Sequence, residues 1–145
     1  MFKHLLVPTD GSPASEAAIQ KSIEFAKLIN ARVTGLHVIP VFQVFTYQTE
    51  MLEDTREQFD EENRVHAAQF LAFIERAARE AGVACNTVSV KSEHPYEAII
   101  QMADDQGCDL IAMASHGRKG VKGFLLGSET QKVLVHTQKP VLVFR

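Results

Sequence analysis

Short apolar runs of strand length alternate along the chain with longer segments in which apolar residues recur at helical spacing. The runs predict strands over His4–Thr9, Arg32–Val38, Asn86–Val90, Asp109–Ala114 and Pro140–Phe144. The longer segments predict helices over Pro13–Asn30, from about Leu52 to Ala81, from Pro95 to near Gly107, and over Ser128–His136. Residues 40–50 form an irregular connection, whose Phe42, Phe45 and Tyr47 could cover a ligand, bind a partner or pack on their own domain.

This β-α-β alternation predicts an α/β fold with one open, mainly parallel sheet of five strands and helices on both faces. Such sheets bind ligands at the carboxyl ends of their strands, near the point where the strand order reverses. Three segments are expected to meet there: the turn Pro8–Gly11, the strand end at Val38 and the glycine-rich segment Met113–Thr130.

The length and net charge of the chain indicate how many domains it has and which partners it favours. The chain has 145 residues and a formal net charge of -3, which suits a single domain and gives no electrostatic support for a nucleic-acid partner. The apolar run before Pro8 is too short for a membrane span or a signal peptide, so residence in the cytoplasm is expected. Cys85 and Cys108 have no metal or redox spacing and are expected to be buried thiols.

The segment Met113–Thr130 holds half of the chain's eight glycines, together with Arg118, Lys119 and Lys122. It follows a predicted strand and precedes a predicted helix, an arrangement typical of an anion site that most often takes phosphate. Neither a Walker A loop nor a G-x-G-x-x-G run occurs in the chain. The alternative is a surface loop in which Ser128 and Gln131 form an ordinary capping box.

These residues resemble the signature of the universal stress protein family. The signature reads G-x-x-G, nine residues and G-[ST], and here it spans Ala114 to Ser128 before a helix and a Pro-Val-Leu-Val strand. The opening LLVPTDGSPAS and the Leu36-His37-Val38 strand also match, so the resemblance covers essentially the whole chain. It implies a Rossmann-like, adenine nucleotide alpha hydrolase-like domain over residues 1–145.

One branch of this family binds ATP, and the resemblance implies that the present chain belongs to it. Pro8, Thr9 and Asp10 would lie near adenine and ribose, and the backbone of Val38 would contact the base. Met113, Ala114, Gly117, Gly127, Ser128, Glu129 and Thr130 would surround the ribose and phosphates, and Ser115 and Arg118 are further candidates. AMP, ADP or cyclic AMP would satisfy much of the same geometry, and Asp10 is a candidate for indirect Mg²⁺ binding.

Ala114 departs from the family signature, which has glycine there. If the backbone at this position needs positive φ, alanine costs on the order of 1 kcal/mol. If the backbone is ordinary strand, the methyl group only has to clear the ligand. Three histidines are assigned structural or solvated roles: His37 in a strand, His66 as a partly buried residue of the long helix, and His116 in the loop.

The final strand Val141–Phe144 is apolar on both faces and would be a pairing hazard at a sheet edge. Pairing with a second copy would remove this hazard, and the family resemblance also implies a homodimer. The leading hypothesis is a cytoplasmic ATP-binding stress-response protein that acts as a dimeric sensor or regulator with an unknown protein partner. The alternatives are a nucleotide-free dimeric scaffold and, less favoured, a slow ATPase, because no nucleophile and base pair stands out.

Overall fold

The described residues form five strands and four helices in strict alternation. In the computed structural model of the chain these residues are 1–42, 49–117 and 126–145. The elements are β1 (His4–Thr9), α1 (Pro13–Ile29), β2 (Arg32–Ile39), α2 (Thr49–Ala81), β3 (Cys85–Lys91), α3 (Pro95–Asp105), β4 (Leu110–Ala114), α4 (Ser128–His136) and β5 (Val141–Phe144). The predicted α/β alternation is confirmed, although α2 begins three residues before the predicted Leu52.

All strand pairs are parallel, and the strand order is β3-β2-β1-β4-β5. The chain starts in the middle of the sheet, adds two strands on one side and then two on the other. The order therefore reverses between β1 and β4, where a crevice is expected at the carboxyl ends. This order also places β3 and β5 at the two edges of the sheet.

Each face of the sheet carries one pair of helices over its own hydrophobic core. On one face, α1 and α2 pack on β1, β2 and β4 through Leu5, Val7, Ile19, Val33 and Ile74, all with no exposed surface. On the other face, Ile99 of α3 and Val133 of α4 pack against Leu6, Leu36 and Ile111. Because β4 is covered on both faces, it is apolar throughout, as buried parallel strands usually are.

Two local interpretations do not hold. Gly127, not Ser128, is the N-cap of α4, because its backbone is extended while its carbonyl accepts the first helical hydrogen bond, from the Gln131 amide at 3.0 Å. The Gln131 side chain accordingly donates to the Leu126 carbonyl instead of completing a capping box. His66 is exposed instead of partly buried, because its ring lies on the solvent side of α2, stacked on Phe70.

The expectations for Phe42 and Cys108 are confirmed, whereas Cys85 is half-buried instead of buried. Phe42 packs on Phe59 of α2 with ring centroids 5.1 Å apart, whereas Phe45 and Tyr47 lie outside the described residues. Both cysteines are free thiols; Cys108 is buried, and burial raises its pKa to about 11. Within the described parts of the chain, no helix is long and apolar enough to cross a membrane.

A polar network around the buried His4 and Thr34 side chains lies at the amino ends of the strands, opposite the crevice. The imidazole Nε2 of His4 lies 2.7 Å from the Thr34 hydroxyl, which in turn donates to the Asn86 side chain at 2.9 Å. The Asp109 carboxylate accepts from the backbone amides of Lys3 and His4 at 2.9 and 3.0 Å. Desolvation, and then the nearby Arg32 guanidinium, lower the pKa of His4 below its usual value.

We expect this burial of His4 to make the protein less stable as the pH falls from 7.5 to 5. Above about pH 6.5 the imidazole is neutral in both states, but below it the unfolded chain binds a proton that the native state resists. One such proton contributes a slope of at most about 1.4 kcal/mol per pH unit. Urea unfolding between pH 5 and 7.5 should show a shallower slope in His4→Gln, whose amide preserves the bond to Thr34.

The chosen pH range separates His4 from Asp109. Partial burial raises the pKa of Asp109, but the amide hydrogen bonds outweigh this effect and hold the pKa below its usual value. The stability from Asp109 is therefore lost only below about pH 4. Equal slopes for the wild type and His4→Gln would contradict the assignment to His4.

Candidate functional site

A cavity of about 200 Å³ opens at the carboxyl ends of the strands, where the strand order reverses between β1 and β4. Predicted residues from four separate segments line it: the end of β1, the end of β2, the end of β4 with the following loop, and the first turn of α4. These predicted residues are Pro8, Thr9, Asp10, Val38, Met113, Ala114, Gly117, Glu129 and Thr130. The folded chain therefore brings together most of the residues selected from the sequence.

Three of the predicted residues that the structure describes do not line the cavity. Ser115 is buried directly after β4, and Gly127 and Ser128 begin α4 beside the cavity. Arg118 lies outside the described residues, as do Lys119 and Lys122. The structure therefore describes the two ends of the glycine-rich loop but not its cationic middle.

Asp10 is oriented by the first turn of α1. Its Oδ1 accepts from the Ser12 amide at 2.9 Å and from the Ser15 hydroxyl at 2.8 Å. Its Oδ2 faces Gly117, where a Cβ atom would overlap this oxygen. The Asp10 carboxylate is therefore fixed between the start of α1 and the start of the glycine-rich loop, with room for it only because residue 117 is glycine.

Ala114 lies in ordinary strand backbone at the end of β4. Among the described residues, Asn30 is the one non-glycine residue with positive φ, so Ala114 carries no such strain. Ala114 lines the cavity, and its carbonyl accepts from the Thr130 hydroxyl at 2.9 Å. Alanine in place of the signature glycine therefore has no backbone cost here, because the position is ordinary strand and does not need positive φ.

The two ends of the glycine-rich loop are joined at Gly127. Besides the hydrogen bond to Ser115, a Cβ atom here would approach the His116 Cα to 3.0 Å, so only glycine fits without a shift. No described side chain caps the amino end of α4 that follows. Such an end exposes amide donors and carries a partial positive charge.

Glu129 links α4 to α3. Its Oε2 accepts from the Tyr96 amide at 2.9 Å, and Tyr96 lies in the first turn of α3. His94, which is the N-cap residue of α3, forms no side-chain hydrogen bond to this turn. Glu129 therefore caps the neighbouring helix, a role distinct from the ribose and phosphate contact that the family resemblance implies.

Sequence reasoning missed Ser15, Pro95 and Ile99 in the lining, and it assigned His116 to solvent. His116 is indeed exposed, but it also borders the cavity, with Nδ1 3.0 Å from the Ser115 hydroxyl. Ser15 could have been found from its place one turn beyond Asp10 in an N-capped helix. Pro95 and Ile99 reach the cavity only because α3 packs across the carboxyl ends of the strands.

The lining of the cavity combines apolar side chains with one carboxylate. Pro8, Val38, Ile99 and Met113 form its apolar part, here called the apolar floor, and Asp10 contributes the carboxylate. Such a lining suits a flat apolar group that carries hydroxyl donors. Among the described residues, no group of three or more His, Cys, Asp or Glu side chains could hold a metal ion.

The fold and the site together define an α/β protein with a crevice at its topological switch point. A model of the universal stress protein family matches residues 1–145, and the chain belongs to this family. Universal stress protein MJ0577 from Methanocaldococcus jannaschii is 31% identical over 156 residues, covering 100% of this chain and 96% of the relative. Universal stress protein YxiE from Bacillus subtilis is 33% identical over 149 residues, covering 100% of both.

Solved structures agree with this assignment. A structure of MJ0577 has a TM-score of 0.81 to this chain, at 31% identity, and the match covers 99% of this chain and 95% of that one. A universal stress protein solved in complex with cAMP has a TM-score of 0.71 at 23% identity, covering 99% and 97%. One from Archaeoglobus fulgidus in complex with dAMP has a TM-score of 0.69 at 18% identity, covering 100% and 98%. At these lower identities the likeness shows the fold.

Proposed function

We propose that this universal stress protein binds ATP in the cavity between β1 and β4 and acts in the cytoplasm as a dimeric sensor or regulator. The observation that carries the proposal is the convergence of Asp10, Val38, Ala114 and the first turn of α4 on one cavity. These segments are far apart in the sequence, and they are the segments that the family resemblance assigns to the nucleotide. The cAMP and dAMP complexes of other proteins with this fold add support for an adenine nucleotide.

Size and lining suggest how the nucleotide would be divided between the cavity and its surroundings. The cavity volume of about 200 Å³ is smaller than a typical ligand site, so it would hold the nucleoside and leave the phosphates outside. Adenine would rest on the apolar floor, with ribose hydroxyls donating to Asp10. The phosphates would lie at the amino end of α4, toward the segment that carries Arg118.

Mg²⁺ would enter this site with the nucleotide. Mg²⁺ keeps several waters and usually takes one or two carboxylates along with substrate phosphates. Asp10 is the fitting carboxylate, but its Oδ1 already accepts two hydrogen bonds. A water-mediated contact from Asp10 to the ion is therefore the arrangement that we favour.

The second candidate function is a nucleotide-free dimeric scaffold of the same fold. The sequence feature in its favour was alanine in place of the first signature glycine. The strand conformation of Ala114 removes the backbone cost on which that argument depended. ATP binding is therefore the proposal that the geometry supports better.

Calorimetric titration of nucleotide-stripped protein with ATP and Mg²⁺ tests the proposal. We expect a dissociation constant tighter than ~1 mM, which corresponds to about -4 kcal/mol. Because Ala114 carries no strain, Ala114→Gly should bind within about threefold of the wild type, less than the ~1.4 kcal/mol of a tenfold change. Adenosine and tripolyphosphate, titrated separately, distinguish a nucleoside pocket from an anion site in the loop.

Each outcome of this titration has a clear meaning. Binding of ATP and adenosine supports the division between cavity and loop. Binding of tripolyphosphate with equal affinity and no binding of adenosine would contradict the nucleoside pocket. No binding of any of these ligands would favour the scaffold, and a large loss in Ala114→Gly would show that the methyl group contacts the ligand.

A further inference from the structure

We infer that His37 and Phe70, neither of which lines the cavity, hold the turn Thr9–Gly11 in its binding conformation and so act as positioning residues for Asp10. This inference rests on the proposed function, because the consequence that we predict is a change in ATP affinity. Its structural part, the fixation of the turn, depends on contacts that exist without any ligand.

His37 holds the first residue of the turn. Its side chain is 6% exposed, and its Nδ1 lies 2.9 Å from the Thr9 carbonyl oxygen. A carbonyl can only accept, so Nδ1 carries the proton and donates it. Thr9 and His37 are direct neighbours in the parallel pairing of β1 and β2, which makes this the last tie between the two strands before the chain turns.

Phe70 holds the third residue of the turn. A Cβ atom added to Gly11 would overlap the Phe70 ring, so the glycine backbone lies directly on the face of α2. Gly11 also has a φ of 78°, which glycine adopts without strain. The turn is therefore packed closely against the Phe70 ring, and glycine is the residue that fits this contact.

The two positioning residues support each other. The rings of His37 and Phe70 meet edge to face, with centroids 5.1 Å apart and planes at 77°. This geometry is favourable for aromatic pairs and fixes the orientation of both rings. His66, one turn earlier on α2, stacks on the other side of Phe70 with centroids 5.8 Å apart. A continuous set of contacts thus connects the exposed surface of α2 with the turn.

Asp10 lies between these two fixed points. The Thr9 carbonyl precedes it and Gly11 follows it, so the backbone of Asp10 is held on both sides. Two local hydrogen bonds inside the turn depend on the same backbone path. The Gly11 amide donates to the Thr9 hydroxyl at 3.1 Å, and the Ser12 amide donates to the Asp10 side chain. A loosened turn would spread the carboxylate over several positions and weaken any ligand contact that it makes.

The test compares two donors and one non-donor at position 37. His37→Leu removes the hydrogen bond to Thr9, whereas His37→Asn places an amide donor near the position of Nδ1. We expect ATP affinity to fall about tenfold in His37→Leu and to stay within about threefold of the wild type in His37→Asn. His4→Leu is the matched control, because His4 is equally buried but bonds to Thr34 at the opposite end of the sheet.

Amide hydrogen exchange provides a second measurement that needs no nucleotide. The quantity compared is the ratio of the exchange rates of the Gly11 and Ser12 amides to that of the Leu6 amide in the same protein. We expect this exchange ratio to rise in His37→Leu and to stay unchanged in His4→Leu. Because Leu6 in the core strand β1 reports global opening and the turn amides report local opening, the ratio shows whether the change in stability is confined to the turn. Phe70→Leu should produce the same local effect and replaces His37→Leu if that variant does not fold.

The outcomes separate the inference from the proposed function. Unchanged affinity in His37→Leu, or equal losses in His37→Asn and His37→Leu, would overturn the inference while wild-type ATP binding stands. If the wild type binds no ATP, the proposed function fails, and the exchange ratio alone decides the inference. Faster exchange at Gly11 and Ser12 would then support the positioning role, and an unchanged ratio would overturn it.

Discussion

Replacement of Asp10 by alanine is expected to weaken ATP binding about thirtyfold. A hydrogen bond to a charged group contributes about 2 kcal/mol, which corresponds to roughly this factor in the dissociation constant. The carboxylate is already oriented by Ser12 and Ser15, so under the proposed function it would accept ribose hydroxyls without a further loss of side-chain freedom. Calorimetric titration with ATP and Mg²⁺ measures the change, and thermal unfolding shows how much stability the lost turn contacts cost.

The contact between Asp10 and Gly117 allows a second variant to test the same role of the carboxylate. Gly117→Ala would place a methyl group against the Asp10 Oδ2, so either the carboxylate or the loop must move. We expect a loss of affinity comparable to that of Asp10→Ala. In the double variant the overlap is gone, so it should bind ATP no worse than Asp10→Ala alone. Such non-additivity is characteristic of residues in direct contact.

A surface carboxylate is the control for the change in net charge. Asp60 lies on α2, and its side chain is 43% exposed and paired with Lys91 at 3.8 Å. Asp60→Ala removes the same charge as Asp10→Ala but should leave ATP affinity unchanged. Wild-type affinity in Asp10→Ala would show that this carboxylate does not contact the ligand. Additive losses in the double variant would show that the Asp10 and Gly117 effects are independent.

The number and type of elements could be predicted because strand and helix patterns differ strongly in this chain. The continuous apolar run that became β4 is typical of a strand covered on both faces, and β4 is buried throughout. The boundary at the start of α2 was missed because residues 49–54 are mostly polar and carry no apolar periodicity. Sequence patterns give the elements, but the order of strands depends on which helix packs on which face.

The predicted part of the site consists of residues at the carboxyl ends of strands, in the segments that follow them or in the first turn of a helix. Asp10 and Gly117 belong to it because the carboxyl ends of neighbouring parallel strands meet at one edge of the sheet. This argument needs only the alternation of elements and not their detailed packing. It therefore located the three segments that meet at the crevice, whereas the individual residues within those segments were implied by the family resemblance.

Contacts between helices that are distant in the sequence explain why Pro95 and Ile99 were missed and why the bond of Glu129 to α3 was not predicted. Glu129 bonds to the Tyr96 amide across 33 positions, and this bond ties the start of α3 to the start of α4. Pro95 matches the ordinary pattern of proline in the first turn of a helix, so nothing local pointed to a ligand. Its place in the cavity follows from the packing of Ile99 in the core under α3.

The backbone geometry of β5 gives the second prediction with a large effect, which concerns the proposed homodimer. Toward β4, the Pro140 carbonyl accepts from Ile111 at 3.1 Å and the Phe144 carbonyl accepts from Ser115 at 2.7 Å. In a parallel pair, alternate residues direct their backbone groups to the neighbour. The N–H groups of Val141 and Val143 therefore point away from β4, to the free edge of the sheet where a second copy would pair.

Val143→Pro is expected to weaken the dimer about thirtyfold while leaving the domain folded. Proline removes an N–H that makes no bond to β4, and such outward positions of edge strands tolerate it. A two-fold dimer would lose this bond twice, and two hydrogen bonds of about 1 kcal/mol each give roughly this factor. Sedimentation equilibrium over a range of concentrations measures the dissociation constant of the dimer.

Val143→Thr is the matched control, because threonine keeps the N–H, the β-branched shape and the strand propensity of valine. It should remain as dimeric as the wild type if backbone pairing dominates the interface. Equal weakening in both variants would instead assign the interface to the apolar side chains of β5. Two results would contradict pairing through this edge: a wild-type mass that stays monomeric at every concentration, or a Val143→Pro variant that remains fully dimeric. Unchanged ATP binding in Val143→Pro would show that the site is complete within one subunit.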